Sequence, residues 1–182
     1  MMGTVGERVR ATKRVYSGRV LSLDVDEVEE PGHILATREV VRHQGSVAAL
    51  PVHADGSVVL IRQYRYASDQ TMWEVPAGRL EPHEDPAEGV LRELEEEVGL
   101  KAATLEAWTA AYTTPGFSDE VVHLFRASGL QAIPPRPEAD ELIEIRVMPF
   151  EDARELARKG EIRDAKTLLA LLFEGERRRE GK

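Results

Sequence analysis

Residues 78–100 read GRLEPHEDPAEGVLRELEEEVGL, and they set Gly78, Glu84, Arg92, Glu93, Glu96, Glu97 and Gly99 at fixed spacing, with Leu94 and Leu100 between and after them. Asp85 ahead of Pro86, with Glu88 three residues past the cap, is a helix start, and Gly99 is a stop. The helix between them is about three and a half turns long. On it Glu93, Glu96 and Glu97 are related by i, i+3 and i+4, so three carboxylates project from one side. Val90, Leu91, Leu94 and Val98 fall on an adjoining apolar stripe. The pattern predicts a stripe that anchors the helix and carboxylates that face an open site.

Like charges on neighbouring turns repel one another, and more strongly where water is excluded, so the arrangement calls for a cation to offset it. Oxygen-only ligands suit Mg²⁺, with Mn²⁺ as a substitute, and Mg²⁺ completes its shell with water and substrate phosphate oxygens. Gly78 permits a close approach of backbone that a side chain would forbid. An arbitrary Glu-rich run is ordinarily a solvated helix face. At background frequencies of roughly 5–7% per residue, however, seven fixed identities coincide with odds of order 10⁻⁹ per starting position.

The segment resembles the Nudix signature, G-x5-E-x7-R-E-U-x-E-E-x-G-U with U aliphatic, and matches it at every specified position. That resemblance implies an α+β Nudix fold, a mixed β-sheet sandwiched between α-helices with the signature forming loop, helix and loop. It also implies hydrolysis of nucleoside diphosphates linked to another moiety. By the same resemblance Glu93 and Glu97 are the primary metal ligands, Glu96 shares or bridges metals, the Ala77 carbonyl is a further ligand, and Arg92 orients the carboxylates. Glu84 holds its loop to Arg92.

The likeness extends past the signature. In TTPGFSDE (113–120), Pro115 lies fifteen residues after Leu100, an offset that resembles the ADP-ribose pyrophosphatase branch, where a Ser/Thr-Pro-Gly loop is followed by an acidic residue, here Glu120. Read alone, Pro115-Gly116 is a plain turn. REVVRHQGSVAALPV, from Arg38, and LIRQYR resemble the strands that enter that branch's core. Arg65 is then the better phosphate ligand of the pair Arg62 and Arg65, and Arg38 contributes to the nucleotide pocket, Pro115 and Gly116 to a wall near the terminal ribose. Tyr64, Tyr66, Trp73 and Phe117 are candidates for stacking on adenine, although aromatics in a small core more often serve packing. PEADELIEI resembles the late acidic loop that in that branch supplies the general base or another metal ligand, with Glu141 the best match and Glu138 second. The branch implies Mg²⁺-dependent cleavage of ADP-ribose to AMP and ribose 5-phosphate. Alternatives are FAD, NADH or another nucleotide sugar as substrate, or a non-catalytic nucleotide-binding regulator.

Composition narrows the partners. A chain of 182 residues with 42% hydrophobic content is one domain with a small appendage. Its formal charge of −9 argues against nucleic acid or an anionic membrane as partner. With no cysteine there is neither thiolate chemistry nor a disulfide framework. The five histidines lack zinc-site spacing. No signal-like opening or spanning segment stands out, which gives a cytoplasmic expectation.

Loose alternation from Arg14 to Arg42 predicts short antiparallel strands with turns near Ser17-Gly18 and Pro31-Gly32. VAALPVHADGSVVLIRQYR predicts a hairpin, Val47–His53 and Val58–Tyr64, around Asp55-Gly56. Further strands are expected at 72–75, 105–112, 120–127 and 142–148, then helices over 149–159 and after an Asp164 cap. The expected organisation is a β appendage over 1–44 that forms a homodimer, a Nudix domain over 45–176, and a frayed tail over 177–182.

Overall fold

Val47 to Leu50 and Val58 to Ile61 are apolar at every position, and all eight side chains are buried. Strands of this kind need cover on both faces. They receive it in the structure, a computed structural model that describes residues 8–136 and 142–181. Two compact units make up the chain, one formed by residues up to 45 with 112–121, the other by 46–111 with 122 onward.

In the second unit β4 (Ser46–Pro51), β7 (Ala77–Arg79), β8 (Leu100–Tyr112) and β9 (Val121–Ala132) form a sheet of order β7-β4-β9-β8. β4 runs parallel to β9 and antiparallel to β7. A second sheet, of order β10-β5-β6, joins β5 (Ser57–Arg65), β6 (Gln70–Glu74) and β10 (Ile143–Pro149) in antiparallel fashion. Alternate residues serve opposite layers, as a period of two requires. Val47, Ala49, Val59 and Ile61 pack with Val90, Leu94 and Val98 of helix α1 (Pro86–Val98). Ala48, Leu50, Val58 and Leu60 pack with Phe150 and Ala153 of α2 (Phe150–Arg158) and Ala170 and Leu171 of α3 (Ala165–Arg179). The second unit is therefore a mixed sheet sandwich between α1 on one side and α2 with α3 on the other, the expected fold class.

The expected hairpin is corrected. Its turn forms, with His53 N–H donating to the Ser57 carbonyl at 2.9 Å and Gly56 N–H to His53 at 2.9 Å, but only a single bridge, Val52 to Val58, joins the strands. Beyond it β4 and β5 diverge into different sheets. Each is apolar on both faces and finds partners elsewhere, β4 in β7 and β9, β5 in β6 and β10.

The tail expectation is corrected as well, because α3 continues to Arg179. Basic residues in its last turn suit the negative end of the helix dipole. Arg178 donates to buried Glu174 at 2.8 Å and to the Gly56 carbonyl at 2.7 Å, and lies 4.1 Å above the Phe150 ring. On its other side Glu174 accepts from Arg126 at 2.9 Å.

The first unit contains a three-stranded antiparallel meander, β1 (Arg8–Ser17), β2 (Leu21–Glu30) and β3 (Ile34–His43). Its strands are longer than expected, with turns where the sequence placed them. Every residue of β1 is exposed. On β2, Asp24 and Asp26 are buried and neutralised by arginines from both neighbours. Arg14 bonds Asp24, and Arg42 reaches Asp24 at 3.1 Å, Asp26 at 2.8 Å and Asp119 at 3.4 Å. The hydrogen bond from Arg14 pulls the Asp24 carboxyl below its ordinary range, against the opposing effect of desolvation. Residues 113–120 join this unit through β3, with Val41 N–H donating to Phe117 at 2.8 Å and His43 N–H to Asp119 at 2.8 Å.

Gly99, the left-handed cap of α1 at φ 61°, also tests the packing. A methyl group there would overlap the Ile133 carbonyl and approach Pro135 N to 2.9 Å. Gly99→Ala is expected to destabilise the protein by about 1–3 kcal/mol, read by urea unfolding.

Candidate active site

Asp85 caps α1, accepting from Ala87 N–H at 2.8 Å, and Pro86 opens it. The helix therefore begins where its sequence says, and its carboxylates are set by that start. They do not all face outward. Glu93 is 9% exposed and Glu97 3%, on the same buried side as Val90, Leu94 and Val98. The open carboxylate face expected from spacing is corrected for these two, because the β7 segment lies across them. Glu97 accepts from Ala77 N–H at 2.9 Å. The Glu93 carboxylate occupies the space where a side chain at residue 78 would start, so any side chain there must displace it. Glu96 remains partly exposed.

Arg92 holds the group together. Its Nε and Nη2 donate to Glu84 at 2.9 and 3.1 Å, its Nη1 to Glu93 at 2.7 Å and to Glu96 at 3.1 Å, and its Nη2 also to the Arg79 carbonyl at 3.1 Å. Glu84 in turn accepts from Glu81 N–H at 2.8 Å, which closes the loop before the helix. Through these bonds, the Glu84 pair foremost, the guanidinium pKa is raised above its already high ordinary value, so Arg92 keeps its charge. The Glu84 carboxyl is pulled below its ordinary range by the same hydrogen bond.

Arg65, the expected phosphate ligand, donates to Glu74 from Nε at 2.7 Å and from Nη2 at 2.8 Å. Its guanidinium pKa is raised, first by that pair and further by Glu97, so Arg65 lies within electrostatic reach of the carboxylate helix. Burial pushes the Glu74 carboxyl up, but Arg65 and Lys166 outweigh it and keep Glu74 ionised. Glu74 and Lys166 carry no sequence signal of a role at the site; the Asp164 cap was legible, but not what its helix start reaches. Arg62 lies 5.7 Å over the Trp73 ring. Tyr64 donates to Asp69 at 2.8 Å, and Tyr66 is exposed.

Within the first unit, Arg38 pairs with Glu30 and donates to the Thr37 carbonyl at 3.1 Å. Pro115, Gly116 and Phe117 are exposed on their loop, and Glu120 accepts from Thr113 at 2.8 Å with His43 3.8 Å away. Glu138 and Glu141 lie outside the described residues.

The donors fit a divalent cation. Glu93, Glu96 and Glu97 offer oxygen alone from adjacent turns, and the glycine cradle at residue 78 brings the backbone against one of them. Among the described residues no three such side chains converge on a ready-made cage. Here they converge on Arg92 and on Ala77 N–H.

Two outcomes follow from this geometry. Gly78→Ala should retain the fold in circular dichroism, since the Glu93 carboxylate can swing aside, while turnover of a diphosphate substrate falls at least tenfold. The Glu84–Arg92 bond gives its stability above the ordinary carboxylate range, and loses it as pH falls through the depressed pKa of Glu84. The stability gap between wild type and Arg92→Met, read by urea unfolding, should thus be wide at pH 7 and shrink below about pH 4.

Residues 42–171 match the family model described as NUDIX domain. An ADP-ribose pyrophosphatase of Bacillus subtilis (strain 168) is 40% identical over 174 residues, covering 94% of each chain. A methanol dehydrogenase activator of Bacillus methanolicus is 36% identical over 169 residues, covering 92% of this chain and 91% of the other. A crystal structure of an ADP compounds hydrolase superposes with a TM-score of 0.82 at 20% identity over 93% of this chain and 92% of that one, a likeness of fold. With an unbroken signature set on the helix and strand just described, and with a match across most of its length, the chain belongs to the Nudix family.

Proposed function

We propose that this protein hydrolyses the diphosphate of ADP-ribose to AMP and ribose 5-phosphate, with Mg²⁺ as its metal and Mn²⁺ as a substitute. The chemistry rests on one observation, the seating of Glu93 and Glu97 against the Ala77–Gly78 backbone with Arg92 bracing Glu93. The substrate rests on the near full-length likeness to an ADP-ribose pyrophosphatase. Nudix pyrophosphatases of this kind use divalent cations.

A diphosphate resists attack because its anionic oxygens repel the nucleophile, so charge must be neutralised and the reactants aligned. Glu93, Glu96 and Glu97, with the Ala77 carbonyl as a further ligand, would hold Mg²⁺, which would supply that neutralisation and acidify water. The chain's own residues fix the frame. Arg92 orients Glu93 and Glu96 and keeps the Glu84 loop on the helix. Arg65 offers a guanidinium to a phosphate, its partner Glu74 staying neutralised by Lys166. Glu141 is our proposed base, and Pro115, Gly116, Glu120 and Arg38 our proposed contributors to substrate choice. The exposed β1 strand, together with exposed Tyr16, Ile34 and Leu35, supports a homodimer made through the β1–β3 sheet.

A second reading is favoured by the likeness to an activator protein: the chain binds a nucleotide and acts on a partner. Product formation separates the two. With Mg²⁺ present, ADP-ribose should give the highest kcat/KM in a panel with ADP-glucose, GDP-mannose, NADH and FAD; a tenfold preference is only about 1.4 kcal/mol of transition-state binding. A tenfold advantage for FAD or NADH overturns the substrate, and no hydrolysis at all favours the second reading. Glu93→Gln and Glu97→Gln should each cut kcat by two to three orders of magnitude, whereas Glu81→Gln remains active. Sedimentation should return a dimer; a monomer at all concentrations refutes that part.

A further inference from the structure

The five residues Glu74 to Gly78 form a strut facing the carboxylates of α1, and each is pinned by a different group. Glu74 takes Arg65 and Lys166. Val75 N–H donates to Thr167 Oγ1 at 2.8 Å. The Pro76 carbonyl accepts from Ala49 N–H at 3.0 Å. Ala77 N–H holds Glu97, and Gly78 backs Glu93. Two of the five residues, Glu74 and Val75, therefore take an anchor from the first turn of α3, some ninety residues downstream.

Thr167 is fully buried and its hydroxyl is used twice. It accepts from Val75 and donates to Asp164 at 2.5 Å, while Asp164 also caps the helix through Thr167 N–H at 2.9 Å and holds Lys166 at 2.8 Å. The donated proton fixes the hydroxyl's lone pairs toward Val75. Without the hydroxyl, Val75 N–H is left buried and unpaired, a condition a backbone relieves by moving. Any movement there passes over Pro76 to the Ala77 N–H that orients Glu97.

We infer that Thr167 is a positioning residue for the metal-binding carboxylates, acting through Val75 and Ala77 on Glu97, with Asp164 and α3 as its support. This rests on the proposal above that Glu97 holds metal. Its reach is on geometry rather than on chemistry, so the effect belongs to metal affinity and kcat and leaves KM for ADP-ribose nearly unchanged.

The test compares wild type with Thr167→Val, which keeps the shape and removes the hydroxyl, with Thr167→Ser, which restores it, and with Glu97→Gln. Mn²⁺ binding is measured without substrate by electron paramagnetic resonance, alongside kcat, KM and thermal melting. Thr167→Val should bind Mn²⁺ at least fivefold more weakly and lose kcat about tenfold with KM within twofold, and Thr167→Ser should recover both. Should Thr167→Val fail to fold, Thr167→Ala, which removes the same hydroxyl, carries the test with the same readouts. Wild-type Mn²⁺ affinity in a folded Thr167→Val or Thr167→Ala protein overturns the inference, and so does a Thr167→Ser protein as impaired as Thr167→Val. Wild-type Mn²⁺ binding and turnover in Glu97→Gln would instead sink the proposed site itself.

Discussion

Two carboxyl groups lie on the buried side of a helix, and the site depends on how their desolvation is offset. A carboxylate withdrawn from water is costly unless hydrogen bonds and an opposite charge replace its solvation. Glu97 takes a backbone N–H, and Glu93 takes the Arg92 guanidinium. Arg92 is in turn fixed by a fork-on-fork pair with Glu84, which makes the loop before the helix part of the same unit of charge. The backbone must come close enough to serve Glu97 without striking Glu93, and this places a residue without a side chain at position 78.

The sandwich supplies the rigidity that such a site demands. β4 carries core residues on both faces and pairs on both edges, so it cannot shift without disturbing α1, α2 and α3 together. The strut that faces the carboxylates hydrogen-bonds to this strand, and polar networks flank it where the sheet meets α3. Buried Glu74 and Glu174 each have two cationic partners, which suits a protein whose acidic groups outnumber its basic ones. Such fully partnered clusters hold elements in one arrangement more than they add to net stability.

Much of this was legible in the chain. The cap at Asp85, the stop at Gly99 and the spacing between them located the helix, and the signature named its family. What spacing gave was the angle of each carboxylate about the helix axis, not what covers it, and so Glu93 and Glu97 were read as open. Asp55-Gly56 announced a turn correctly, but a turn does not say whether its strands stay paired, and for β4 and β5 better partners lay far away in sequence. Arg178 looked like solvated charge because its partners, Glu174 and the Gly56 carbonyl, are found only in the folded chain. Thr167 was invisible for the same reason: at the third position of a helix it reads as an ordinary residue, and its contact with Val75 spans 92 positions.

The arginine–aspartate pairs of the β1–β3 meander carry a consequence for folding. Strand register is usually specified by which side chains a core accepts, yet β1 is exposed throughout and offers no such selection. Asp24 and Asp26 provide another. In the native pairing Asp24 meets Arg14 and Arg42 and Asp26 meets Arg42, whereas a slip of one residue would turn them to the opposite face and bring Asp26 against Thr37 or Glu39. The charges thus act as a proofreading device, rejecting misaligned sheets by stranding two carboxylates, in a part of the molecule where hydrophobicity alone would tolerate the error.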